Sequence, residues 1–210
     1  QGRPITLGKV PLWEWEKLKE LGTDFVWLMG VWRRSQYGRR IYRTLPDTVA
    51  VLNSVLPGWS EEDIIGSSYS IDAYEPDPLV GNWQDIDQAR AQLHRLGMGL
   101  VLDFIPNHTG PDHFWVTEHP GYYIQGSEED CQKNRGAFFP IQHQGKTLYL
   151  AQGKDPYYLP WADTVQLNYF NSETRRASIA ELGKIAQHCD GVRCDMAMLV
   201  LNEVFRKNWE

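Results

Sequence analysis

Three short apolar segments, each preceded by a stretch with helical spacing, constrain the fold of this chain more than any other feature. The segments are 24–29 (DFVWLM), 100–105 (LVLDFI) and 191–195 (GVRCD), and the helical stretches are 12–21, 85–96 and 172–188. Helices that alternate with short buried strands predict a parallel sheet with right-handed crossovers. A doubly wound sheet and a (β/α)8 barrel both satisfy this pattern.

The remaining regions are predicted to be more irregular. Residues 33–84 are rich in Gly, Pro, Ser and Tyr, which predicts long loops with at most one short helix. Residues 109–165 lack helical periodicity and predict an insertion with one hairpin, whose strands at 138–142 and 147–151 flank a turn at Gly145. Ser172 is expected to cap the helix after this insertion, and residues 197–209 predict one further helix.

Composition and motifs exclude several functional classes. No apolar run reaches the ~20 residues that cross a bilayer, so no membrane partner is predicted. A formal net charge of −6 argues against a nucleic-acid partner. Cys131, Cys189 and Cys194 are odd in number and form no CxxC pair, which argues against a disulfide scaffold or a zinc ribbon. No glycine-rich nucleotide-binding motif follows a predicted strand.

Polar residues gather where two of the predicted strands end. Asp103, Asn107 and His108 follow one strand, and Arg193 and Asp195 end the next. Sites of parallel α/β folds form at this edge. Side chains two apart on a strand share a face, so the guanidinium and the last carboxylate should meet, and the cation should keep the carboxylate ionised. A nucleophilic carboxylate needs this state, although an ordinary ion pair at a strand end fits equally well.

Two ordered motifs resemble a known family. DFIPNHT at 103–109 resembles the first conserved region of glycoside hydrolase family 13, the α-amylase family, and GVRCD at 191–195 resembles the second. The stretches 161–169 and 69–85 also resemble parts of that family's barrel, so the resemblance runs from about residue 10 to 205. It implies an α/β fold: a partial (β/α)8 TIM barrel containing the second to fourth strands, with a small B-domain-like insertion after the third.

The resemblance also implies a domain division. Residues 1–108 would form the first part of the barrel, 109–165 the insertion, and 166–210 the continuation of the barrel. The chain lacks an initiator Met and a signal-like segment, so neither end indicates a compartment. We expect the first strand before Gln1 or absent, and the later strands and the acid/base Glu beyond Glu210. The chain alone is then expected to be inactive, with the remainder of the barrel as a partner.

Residue roles follow from the resemblance by position. Asp195 corresponds to the nucleophile of the family and Arg193 to its charge partner. His108 corresponds to a residue that hydrogen-bonds the reacting sugar, and Tyr69 to an aromatic that stacks on it. Asp103 corresponds to a carboxylate that organises the base of the site.

A metal is an option that the resemblance leaves open. Asn107 matches a position that binds structural calcium in many members, and Asn168 is a second candidate, because oxygen ligands suit this hard cation. No other cofactor is implied. The segment 196–199 (MAML) departs from the family, since many α-amylases have a Lys-His pair there that contributes to substrate and calcium binding. Gly66, three residues before Tyr69, replaces an Asp of members that act on chain ends, which favours an open cleft.

The function implied is that of a retaining glycosidase that hydrolyses α-glucosidic bonds in oligo- or polysaccharides by double displacement. A transglycosylase or isomerase on the same scaffold stays open because the Lys-His pair is missing. A non-catalytic barrel relative also stays open, although such relatives usually lose the nucleophile or its arginine, and both are present here.

Overall fold

A computed structural model describes residues 5–134 and 136–210 of the chain. In these residues the helices are α1 (Leu12–Glu20), α2 (Gln36–Thr44), α3 (Pro46–Val55), α4 (Trp83–Arg95), α5 (Phe114–Glu118), α6 (Glu128–Lys133), α7 (Ser172–Ala186) and α8 (Asn202–Trp209). The strands are β1 (Phe25–Leu28), β2 (Trp32–Arg34), β3 (Ile71–Pro76), β4 (Gly99–Phe104), β5 (His108–Thr109), β6 (Gln125–Gly126), β7 (Phe138–His143), β8 (Lys146–Ala151), β9 (Val165–Gln166) and β10 (Gly191–Cys194). None of the helices described is long and apolar enough to span a membrane.

The sheet that carries the polar strand ends is parallel, as the alternation of helices and strands predicts. Strand β4 lies between β1 and β10, with Phe25 beside Gly99 and Arg193 beside Asp103. Within the described ranges β1 and β10 pair with no other strand of this sheet, so the sheet is open at both edges and is not closed into a barrel. The exposed edge strand alternates: Phe25, Trp27 and Met29 are 59, 44 and 58% exposed, and the residues between them are half-buried.

The chain divides into two compact units. The first comprises Gln1–Arg33, Tyr74–Phe104 and Ala177–Asp195, and therefore contains the parallel sheet with α1, α4 and most of α7. The second comprises Arg34–Ala73, Ile105–Arg176 and Met196–Glu210, and contains two small antiparallel sheets, β5–β9 and β6–β8–β7, with short helices. The domain boundaries expected at residues 108 and 165 stay predictions.

The core of the first unit forms between helix α4 and the sheet. Helix α4 begins with a capping box between Asn82 and Asp85, and its Ile86 and Leu93 are fully buried. Leu100 and Leu102 of β4 are likewise fully buried. Burying each side chain of this size stabilises the fold by about 1.5–3 kcal/mol, so the packing fixes β4 at the centre of the sheet.

A carboxylate at the N-terminal end of β10 joins three elements of this unit. Asp190 accepts hydrogen bonds from the Arg90 guanidinium at 2.6 and 3.0 Å, from His94 Nε2 at 2.8 Å and from the Leu100 backbone N–H at 2.8 Å. The Asp190 N–H in turn donates to the Leu100 carbonyl at 2.8 Å. Partial burial raises the pKa of Asp190, but these donors outweigh it and hold the pKa well below its usual range.

The prediction of mostly loops over residues 33–84 was wrong. Two helices and strand β3 lie there, and the turn-forming residues that suggested loops are helix-start signals. Ser35 caps α2 by accepting from the Gly38 N–H at 2.9 Å, and Pro46 stands at the first turn of α3, where its missing N–H has no cost.

Three smaller differences have similar causes. The hairpin β7–β8 is confirmed, but the region around it also contains α5 and α6, the latter started by a capping box of Ser127 and Asp130. The Asn171 side chain accepts from Glu173 N–H at 2.9 Å and so caps α7 in place of Ser172. The helix predicted over 197–209 is broken at Leu201, whose backbone is extended.

Candidate active site

Three charged side chains meet at the C-terminal end of the parallel sheet. Arg193 Nη1 lies 2.8 Å from Asp195 Oδ1 and 3.1 Å from Asp103 Oδ1. The meeting follows from the register, because Arg193 lies beside Asp103 on the neighbouring strand and Asp195 comes two residues later on the same face. The two carboxylates are almost completely buried, whereas 38% of the Arg193 side chain is exposed. Two buried carboxyl groups therefore share one guanidinium at the edge where sites of such folds form.

Two influences raise the pKa of Asp195 and one lowers it. Burial raises its pKa above the ordinary value, the Arg193 guanidinium lowers it, and the nearby Asp103 carboxylate raises it. The backbone N–H of Asp195 donates to the Phe104 carbonyl at 2.8 Å, which holds the end of β10 against β4. The next residue, Met196, has φ +50°. A left-handed backbone is strained for a residue with a side chain, and such strain is concentrated at functional sites.

An aromatic side chain that the motifs do not contain supports the guanidinium. The Trp27 ring lies under Arg193, with 5.0 Å between the ring centroid and Cζ. Trp27 stands on β1, and the alternation of large side chains at positions 25, 27 and 29 already indicates that it shares a face with its two neighbours. Which charged group it meets depends on the pairing of β1 with β4 and of β4 with β10, and the sequence does not show this.

In the second unit His108 is a buried neutral imidazole. Burial lowers its pKa to about 4, and a hydrogen bond with the Tyr69 backbone offsets part of this effect. The Trp161 ring lies against it with centroids 5.2 Å apart. Gly153 packs beside both rings, since an added Cβ there would lie 3.2 Å from Trp161 Cε3 and 3.3 Å from His108 Cβ. Tyr69 is half-buried, and its stacking role stays a prediction.

Asn107 and Asn168, the two predicted calcium ligands, do not fit a calcium site. The Gln166 amide nitrogen donates to the backbone oxygen of Asn107 at 2.9 Å, to its Oδ1 at 3.1 Å and to the Leu167 carbonyl at 3.2 Å. Three acceptor oxygens thus converge on the amide nitrogen of the fully buried Gln166, at a place where a metal site would hold a cation. Asn168 Oδ1 accepts from the Phe170 N–H at 3.1 Å. The part of the chain that the structure describes holds no cluster of three or more His, Cys, Asp or Glu residues suited to a metal.

The structure also explains why a glycine stands at position 66. Its backbone has φ +80°, a conformation that favours glycine. The glycine is therefore explained by its turn, and an aspartate at this position would be strained.

Comparison with known proteins identifies the same family as the motifs. The model of the α-amylase catalytic domain matches residues 15–207. Oligo-1,6-glucosidase of Bacillus cereus is 25% identical over 200 residues, which cover 89% of this chain and 30% of that protein. The human amino acid transporter heavy chain SLC3A1 is 34% identical over 76 residues, 33% of this chain and 11% of that protein.

Solved structures agree on the fold. An α-amylase from Lactobacillus plantarum superposes with a TM-score of 0.65 and 25% identity, and the match covers 97% of this chain and 39% of that one. The chain thus spans well under half the length of these relatives. The family match covers most of its residues, and the three predicted strands form the expected parallel sheet. The chain belongs to the family of α-amylase catalytic domains.

Proposed function

We propose that this chain supplies the nucleophile side of a retaining glycosidase that cleaves α-glucosidic bonds. The observation that carries the proposal is the buried Asp195 carboxylate held by Arg193 at the end of β10. In the first step one Asp195 oxygen attacks the anomeric carbon, an ester bond forms, and the glycosidic C–O bond breaks. An acid/base glutamate would protonate the leaving oxygen and then activate the water that hydrolyses the ester.

The electrostatics of the trio suit this chemistry. The transition state at the anomeric carbon develops positive charge, which the ionised form of the Asp195 carboxyl stabilises. Burial raises the pKa of Asp195 above its ordinary value, and Arg193 opposes this rise and so favours the ionised, nucleophilic form. Burial lowers the pKa of His108 to about 4, so this residue contributes no positive charge at physiological pH.

Names of the relatives support this substrate class. Oligo-1,6-glucosidase and α-glucosidase are named for α-glucosidic substrates, and both match this chain. The residues that distinguish hydrolysis from transfer to a second sugar lie outside the geometry described, so analysis of the products formed from maltooligosaccharides decides between them.

Substitution of Asp195, the proposed nucleophile, tests the proposal in the full-length protein. Asp195→Asn keeps the size of the side chain and removes the attacking charge, so turnover of maltooligosaccharides should fall at least about a thousandfold. Asp24→Asn is the matched control, because the Asp24 side chain is 81% exposed beside β1. Wild-type turnover by Asp195→Asn would refute the assignment.

A second candidate function is a non-catalytic role in assembly with another protein. The match to a protein named as an amino acid transporter heavy chain favours it. The intact Asp195 and Arg193 speak against it. An intact protein that turns over no α-glucoside even as wild type, while it copurifies with a partner chain, would support this alternative.

A further inference from the structure

A cavity of about 330 Å³ lies between helix α2, helix α3 and the segment 63–67, all within the second unit. Helix α2 contributes Tyr42 to its lining, and helix α3 contributes Thr48 and Leu52. Ligand sites in proteins typically have volumes of about 300–1,000 Å³, so this cavity has room for a small molecule.

The larger part of the cavity wall is apolar. Leu52, Ile64 and Ile65 contribute aliphatic side chains to it. Ile64 is buried, whereas Ile65 is 45% exposed, so the apolar wall runs from the inside of the cavity to its rim. A ligand gains by placing apolar surface against these side chains, because that surface then leaves water.

The polar part of the wall offers hydrogen-bond acceptors. The Tyr42 hydroxyl is hydrogen-bonded to the buried Asp163 carboxyl and to Ser67. An ionised carboxylate only accepts, so the Tyr42 proton points to Asp163 and the Ser67 hydroxyl donates to the Tyr42 oxygen. One lone pair of Ser67 Oγ accepts from the Tyr69 N–H at 3.2 Å. The other lone pair is left for a donor in the cavity.

An acidic residue completes the polar lining. Asp63 is exposed, which places it at the rim of the cavity. Its Oδ2 accepts from the Ser60 N–H at 2.7 Å and lies 3.3 Å from Ser60 Oγ. Within the part of the chain that the structure describes, Asp63 Oδ1 has no hydrogen-bond partner. This oxygen is therefore available to a ligand that donates hydrogen bonds.

Two arginines next to the cavity do not reverse its charge. Arg39 Nε donates to the Ile64 carbonyl at 2.7 Å, and Arg43 Nη1 lies 2.8 Å from Glu61 Oε2. Neither arginine belongs to the described lining. The carboxyl groups of residues 61–63 and of Asp163 outnumber these two guanidinium groups, so the surroundings favour a positively charged ligand.

We propose that this cavity binds a small organic ammonium with an apolar body. The apolar body lies against Leu52 and Ile64. The ammonium donates to the oxygens of Asp63, Thr48 and Ser67, because it carries three donors and no acceptor. No lining residue takes part in the proposed reaction, so the site goes beyond the proposed glycosidase function and does not depend on it.

Cyclohexylamine and cyclohexanol test the site, since they differ in charge but hardly in shape. In saturation-transfer NMR titrations of the full-length protein, the amine should bind at least about tenfold more tightly than the alcohol. Asp63→Asn retains an oxygen for the Ser60 N–H and should weaken amine binding about threefold to fivefold, with alcohol binding unchanged. Asp47→Asn is the matched control, because Asp47 is exposed on α3 outside the described lining and should change neither affinity.

Filling the cavity gives a second readout. Leu52→Phe enlarges a half-buried side chain of the wall and should abolish binding of both probes to a protein that circular dichroism shows to be folded. Should this variant not fold, the comparison of Asp63→Asn with Asp47→Asn decides alone. Alcohol binding as tight as that of the amine would overturn the assignment, as would unchanged amine binding in Asp63→Asn. A dissociation constant for the amine above about 10 mM would overturn it as well.

Discussion

Replacing Arg193 by Met tests how strongly the guanidinium favours the ionised form of Asp195, the proposed nucleophile. Methionine retains an unbranched apolar stem that still packs on the Trp27 ring, while the positive charge is removed. Burial and the neighbouring Asp103 carboxylate, both of which raise the pKa of Asp195, are then left unopposed. The pKa of Asp195 should therefore rise further, and a smaller fraction of the carboxyl should be ionised at any given pH.

The size of the shift follows from the geometry. With 2.8 Å between Nη1 and Oδ1, the two charges lie close together. At about 4 Å such a pair interacts by about 4 kcal/mol at an effective dielectric constant of about 20, and by about 1 kcal/mol in bulk water. Because 38% of the Arg193 side chain is exposed, solvent screening reduces the first value. We expect about 1.4–2.7 kcal/mol, which is one to two pKa units.

Two measurements check this shift. The acid limb of the kcat/KM profile of the intact protein reports ionisation of the free nucleophile, and it should move to higher pH in Arg193→Met. A carboxyl-carbon NMR titration of Asp195 reports the same pKa without any need for turnover. Arg193→Lys retains the charge and should shift less. An unchanged acid limb in a folded Arg193→Met protein would show that the arginine does not control the nucleophile.

Two further substitutions address neighbours that the motifs do not contain. Trp27→Leu removes a cation–π contact of about 0.5–1 kcal/mol, so NMR titration should show the pKa of Asp195 rising by less than about one unit, whereas Trp27→Phe should change it little. Gln166→Leu leaves Asn107 Oδ1 and the Leu167 carbonyl without their donor and should lower the free energy of unfolding by about 2–4 kcal/mol in denaturant titrations. Gln142→Leu, a substitution of an exposed glutamine, is the control. If the Gln166 amide takes the place of a metal, adding a chelator should leave the Tm of the wild-type protein unchanged. A fall in that Tm would contradict this view.

The sequence predicts the parallel sheet and the ion pair because both depend on short-range patterns. Apolar runs of strand length identify β1, β4 and β10, and the period of two along a strand places Arg193 and Asp195 on one face. The starts of the helices were predicted least well, because residues such as Gly38 and Pro46 occur both in loops and in the first turns of helices. Choosing between these alternatives requires knowing which backbone N–H groups find partners.

The surroundings of Asn107 could not be predicted for a different reason. An asparagine at a loop is suited to calcium by its oxygen alone, and its ligand role depends on what approaches from elsewhere in the chain. Gln166 lies 59 residues away, and pairing of β5 with β9 brings it beside His108. No local property of either residue indicates that the amide donates to this set of oxygens.

The carboxylate of Asp190 has a consequence for the opposite end of its strand. A slip of β10 by one residue would turn Asp195 to the other face of the sheet, and a slip of two would keep the face but displace it by about 6.6 Å. Either slip would separate Asp190 from Arg90, His94 and the Leu100 N–H, leaving three donors without their acceptor. Asp190 thus holds the strand in the register that brings Arg193 and Asp195 beside Asp103, although it lies at the opposite end of the strand.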